Sequence, residues 1–226
     1  MNKIFFFAVA LVVLLLAESA AFPRPLRTSM GLEHYAAQLE FYYQKPRPEK
    51  LRPIMAKLAS AGVLDRADNR LLIAAFLSEL ARSGGIDLKK LFPEKMSRAQ
   101  RHTLLWAARL ASDRIYADLA PKLLADQDKS LKIQLDNSPS LEKWTPEPAV
   151  SRMRMAAFMA GGDGRWIDAV IDDALGNTRS SQTSRALLYD AAGRHARVRE
   201  SLERRLGDAS PEDADILALI LKGAKK

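Results

Sequence analysis

The sequence predicts an all-α protein, and three observations carry that reading. Apolar residues recur at helical spacing in almost every segment after Thr28. Caps and stops follow one another closely, as Ser, Asp, Gly and Pro at the ends of those segments. The single period-two stretch, Leu131-Lys132-Ile133-Gln134-Leu135, has no second strand candidate to pair with. Helices of ordinary length joined by short turns pack as antiparallel neighbours. They can continue as an irregular tetratricopeptide-like or HEAT-like superhelix, although no strict sequence period is present.

The first element expected is a secretory signal over residues 1–21. Lys3 supplies a positive start, Ile4 to Ala17 is an unbroken apolar run, and Ser19, Ala20 and Ala21 give a small-residue exit. An apolar helix of about 14 residues spans roughly 20 Å, short of the ~30 Å hydrocarbon core of a membrane. Cleavage near Ala20 or Phe22, and a periplasmic or secreted destination, are therefore expected over a permanent anchor.

The next segments read as helices in turn. Gly31–Gln44 carries Leu32, Tyr35, Leu39, Tyr42 and Tyr43, and Pro46 and Pro48 break it. Pro48–Ala61 places Leu51, Ile54, Met55 and Leu58 on one stripe and stops at Gly62. Asp68 is placed to cap a helix running to Arg82, and Asp87–Phe92 reads as one short turn. Ser97 and Gln100 form a capping box for a helix carrying Leu104, Leu105 and Ala108. Asp113–Leu124 is expected to bend or restart at Pro121.

Residues 127–147 are the exception, read as an extended segment or a distorted helix. They make the best connection if residues 22–226 divide into two lobes rather than one domain. Beyond them come Pro148–Ala160, then Arg165–Leu175 with Trp166, Ile167, Val170, Ile171 and Ala174 on one face. Ser184–Ala192 and His195–Leu206 follow. Ser210 and Pro211 open the last helix.

Composition bounds the chemistry. The chain has 226 residues, a net charge of +8 and no cysteine, so disulfides and thiolate chemistry are excluded. The basic balance suits acidic partners such as anionic lipid, a polyanion or an acidic protein face. No phosphate-cradling loop, dinucleotide fingerprint, nucleophile elbow or zinc-ligand spacing occurs, and no catalytic residue, cofactor or metal is expected. Ser140 and Lys143 have Ser-x-x-Lys spacing without the Lys-Thr-Gly strand that chemistry needs. His34, His102 and His195 sit in separate segments and read as partly exposed surface residues.

The stretch Arg152 to Trp166 resembles a motif of exported all-α proteobacterial proteins that reads roughly Leu-Asp-x-Leu-Trp-x-x-Phe-x-Ala-Thr-Gly-Asp. Phe158, Ala160, Gly162 and Asp163 carry the match, while Arg152 and Met153 stand near where that pattern has Leu-Asp and Leu-Trp. Tyr42, Tyr43 and the run from Ala191 through His195 to Val198 are similar too. The resemblance implies export and helices, and no activity.

Candidate binding residues follow from position and type. Asp163 and Trp166 flank the glycine turn at 161–164, where the simplest roles are helix cap and core ring. Phe41, Tyr42 and Tyr43 cannot all face one core from an α-helix, so one ring is expected to be exposed or covered by a neighbour. Arg194, Arg197 and Arg204 belong to a basic segment read as a salt-bridged solvent face, with Arg199–Glu203 and Glu200–Arg204 pairs. It lacks the interleaved aromatics of a nucleic-acid surface. The expectation is an exported scaffold or binding protein of the bacterial envelope, with another envelope protein as partner and a weaker anionic-surface affinity. The competing readings are an envelope hydrolase using loop carboxylates such as Asp163 and an electrostatic binder of anionic lipid or polymer.

Overall fold

The computed structural model describes residues 30–223, so the expected signal at 1–21 lies outside the described residues. Among them are eleven α-helices, five short 3-10 turns and no strand, which makes the fold all-α. No helix among the described residues is long and apolar enough to cross a membrane.

The helices are α1 Met30–Glu40, α2 Pro48–Ser60, α3 Ala67–Arg82, α4 Arg98–Ala111, α5 Asp113–Leu123, α6 Lys129–Asn137, α7 Pro148–Gly161, α8 Gly164–Leu175, α9 Arg179–Arg194, α10 Ala196–Gly207 and α11 Pro211–Gly223. The centre is α3, whose residues Ile73 to Leu80 are all buried because α4 covers one side and α7 the other. From α7 the packing passes to α8 and α9, and from α9 to α10 and α11. One set of buried apolar side chains runs continuously from Leu39 to Leu221.

Local signals place most of these helices. The Ser97 capping box is present, with Gln100 N–H donating to Ser97 Oγ at 3.2 Å and Ser97 N–H to Gln100 Oε1 at 2.8 Å. Asp68 is not a cap. The helix begins at Ala67, Asp68 lies in its first turn, and the buried Asn69 ties the helix start back to the Val63 carbonyl. α5 continues through Pro121 to Leu123 rather than restarting there, since a proline so near the end removes few intrahelical bonds.

Of the two readings of the period-two stretch the helical one holds: it is helix α6, not an extended segment. Its alternating residues do not share one face, for Leu135 is fully buried while Ile133 is 63% exposed. A lone strand would leave its backbone groups unpaired, whereas a helix satisfies them internally. Arg109 of α4 completes the arrangement by donating to the Leu135 carbonyl at 2.8 Å and the Ser138 carbonyl at 2.6 Å. α9 starts five residues earlier than its apolar pattern suggests. Ser180, Ser181 and Ser184 are buried there, so small polar side chains rather than large apolar ones make the contact.

Candidate functional site

The turn between α7 and α8 brings most of the candidate residues together. Gly162 has φ of +67°, and a Cβ on it would lie 2.5 Å from Arg197 Nη1 and 2.7 Å from Tyr43 Cδ2. The position therefore needs glycine for both its backbone and its space. Asp163 takes the helix-cap role, accepting from Arg165 N–H at 3.1 Å and pairing with Arg165 Nε at 3.0 Å.

One side of this turn faces Glu79. Trp166 is buried and donates its indole N–H to Glu79 Oε2 at 3.1 Å. Arg82 and Arg165 pair with the same carboxylate, and Glu142 bridges both guanidiniums at 3.1 and 3.4 Å. A buried carboxylate requires such partners, and here they tie α3, the Leu141–Lys143 turn and α8 together.

The other side faces the corner between α9 and α10. Arg197 donates to the Gly162 carbonyl at 2.9 Å, and its guanidinium lies 5.4 Å from the Tyr43 ring centre. Tyr43 rests on Phe158 with ring centres 4.9 Å apart. Its hydroxyl accepts from Gln44 Nε2 at 3.0 Å and lies 3.2 Å from His195 Nδ1. Glu40 on the other side of the ring is a carboxylate that can only accept, so the neutral tautomer that suits both neighbours accepts from the phenol at Nδ1 and carries its proton on Nε2. That nitrogen has no hydrogen-bond partner among the described residues but lies 3.4 Å from Glu40 Oε1. Arg194 pairs with Glu40 and Asp190.

His195 is thus a correction to the expectation of a surface histidine: it is 0% exposed, stacked on Phe41 and edge-on to Phe158. Burial and the adjacent Arg194 charge push its pKa down to about 4. Burial also raises the Asp190 carboxyl and lowers the Arg194 guanidinium. His102 is largely buried as well, its Nε2 at 3.1 Å from Asp128. Only His34 is exposed, as the spacing suggests. Both buried histidines find carboxylates from distant segments, a pairing that no local spacing signals.

The remaining candidates separate. Tyr42 turns into the core against Phe76, and burial raises its hydroxyl to about 12. The 3-10 turn Tyr42–Gln44 follows α1 and turns Tyr42 towards Phe76 while Phe41 and Tyr43 both reach His195. Arg204 pairs with Asp168 at 2.7 Å and Arg205 with Asp172, both on α8, in place of the expected pairs along α10 itself. Arg199 turns back to the Ala192 carbonyl at 3.2 Å. Ser140 and Lys143 lie exposed at a surface turn.

A second region is a cleft of about 490 Å³ between α5 and α6. Ala117, Ala120, Pro121 and Leu124 give it an apolar wall, and Lys129, Lys132 and Asp136 line it on the α6 side. The buried Asp128 also lines it. Burial raises the Asp128 carboxyl, but hydrogen bonds from His102 and the Ala125 N–H outweigh that and leave its pKa lowered. Among the described residues no group of three or more His, Cys, Asp or Glu is placed to hold a metal ion.

No protein-family model, curated protein or solved structure matches the chain, which leaves the resemblance around Phe158 to Asp163 resting on those residues alone.

Proposed function

We propose that this chain is an exported helical scaffold that works by binding another macromolecule of the bacterial envelope, a protein before an anionic surface. The observation that supports it most is the order of packing. In the C-terminal half alternate helices touch, α7 with α9, α9 with α11 and α8 with α10, and α3 joins this run against α7. Helix pairs stacked in two rows are the plan of α-superhelical arrays, whose extended faces serve recognition. This is an argument from architecture, so the partner has to be found by experiment.

Side-chain commitments support the same reading over its rivals. A hydrolase built on Asp163 needs that carboxylate turned towards a substrate, and here it caps α8 and pairs with Arg165. An electrostatic binder needs a contiguous uncompensated basic face, and Arg194, Arg204 and Arg205 each pair with a carboxylate. Export is inferred from residues 1–21 alone.

Photo-crosslinking residues placed at Tyr189 and Leu219, which are exposed apolar positions, test the proposal in intact cells. A discrete protein adduct is expected. Adducts to lipid alone, or none at either position, would overturn it. N-terminal sequencing of envelope material should begin near Ala20 or Phe22.

A further inference from the structure

We propose that His195 is the pin of an acid-released latch that fastens α1 and its following turn to the α9–α10 corner. The geometry isolates this joint. α1 packs lightly on both α7 and α2, the turn after it packs on α7, and among the described side chains the polar attachment of the two to the C-terminal half runs through Glu40 and Tyr43. Both meet at one imidazole with no exposed surface. Phe41 stacks on that ring at 4.8 Å, so three of four consecutive residues at the end of α1 close over it.

The charged and titratable groups facing His195 come from each element around it. α1 contributes Glu40, the turn contributes Tyr43, and α9 contributes Arg194 and Asp190. α10 contributes Arg197, held at the far side of the Tyr43 ring, and α7 supplies the Phe158 ring. Glu40 would favour an imidazolium, but Arg194 already occupies that carboxylate and adds a positive charge of its own. The docked state therefore holds the neutral ring, and the apolar walls of Phe41 and Phe158 reinforce this.

Release of α1 returns His195 to water, where an imidazole takes a proton near pH 6.5. The docked state resists that proton until about pH 4. A proton bound only by the open state favours opening, so docking is strongest above about pH 6.5 and weakens as pH falls towards 4. Each pH unit within that window shifts the balance up to about tenfold. The device goes beyond the binding role proposed above and does not depend on it.

Hydrogen exchange of the full chain tests it. Between pH 6.5 and 5.0, amides at residues 36–44 should lose about 15-fold in protection after correction for intrinsic rates. Amides of Leu104 to Ala108 on α4 serve as the internal reference. His195→Gln keeps one group that accepts from Tyr43 and one that donates towards Glu40, but it cannot titrate. Its α1 protection should stay flat over the same range. Equal pH dependence in wild type and variant would place the effect on Glu40 or Asp190 and overturn the proposal, as would a flat wild type. If the variant fails to fold, NMR titration of the wild-type imidazole decides. A ring neutral to about pH 4 supports the latch, and titration near 6.5 with α1 still docked refutes it.

Discussion

His195 and His102 are both imidazoles set beside a buried carboxylate, yet the two corners are built differently. At His102 the carboxylate of Asp128 belongs to a local turn, accepts from Ala125 N–H at 3.3 Å, and faces Arg98 and Arg101 from the surface. The imidazole keeps 12% of its side-chain surface and a direct 3.1 Å contact with that carboxylate. At His195 the carboxylate is shared with Arg194, the second nitrogen is left at 3.4 Å, and aromatic rings close the site. Burial lowers the pKa of both rings, His195 much further. Pairing with an acid therefore does not determine how a histidine titrates. What matters is whether another cation has already taken the acid and whether water reaches the ring.

The largest effect that would break this contrast is removal of the floor under His195. Phe158 is fully buried and touches both Tyr43 and His195, so Phe158→Ala should destabilise by about 3–5 kcal/mol in chemical denaturation. Next come the two histidines. pH-dependent denaturation should show stability falling below pH 6.5 as the unfolded chain protonates His195 and the native state does not, by about 3 kcal/mol in all by pH 4. His102→Gln should remove a smaller part of that slope than His195→Gln, because the His102 ring is lowered in the same direction but less. Glu40→Ala and Asp128→Ala should each cost about 1–3 kcal/mol, since each leaves buried partners unsatisfied. Glu40→Ala should loosen α1, whereas Asp128→Ala should loosen the Asp126–Asp128 turn and α6, and proteolysis sites would tell them apart. Asp163 gives the smallest effect. Asp163→Asn should be nearly silent in a melt, and Asp163→Ala should cost about 0.5–2 kcal/mol. Loss of cellular function in a fully folded Asn variant would count against the scaffold reading.

What could be read from the chain follows the range of the forces involved. Capping and periodicity are local, so Ser97, Gln100, Asp163 and the apolar face of α8 were legible as they stand. α6 was misleading because Leu131, Ile133 and Leu135 alternate without sharing a buried face. The first turns of α9 were hidden because serines, which carry no apolar periodicity, make their contacts. Tyr43, Arg194 and Arg197 stand out by position and type in the sequence, and the structure does bring them to one corner, through the Gly162 carbonyl and His195. Glu40 and the burial of His195 are not legible there, since that pairing spans 155 positions and no short-range pattern encodes it.

The packing of α3 on α7 has a consequence for the chain's connectivity. Those helices belong to opposite halves of the sequence, and the exposed run Thr145 to Glu147 is part of the covalent link between them. A backbone cut between Pro146 and Glu147 would separate a fragment holding α1 to α6 from one holding α7 to α11. The two would still share the α3–α7 seam, the indole bond from Trp166 to Glu79 and the Arg194–Glu40 pair. The protein should therefore survive nicking as a non-covalent heterodimer of its own halves, and the separately produced fragments should complement one another when mixed.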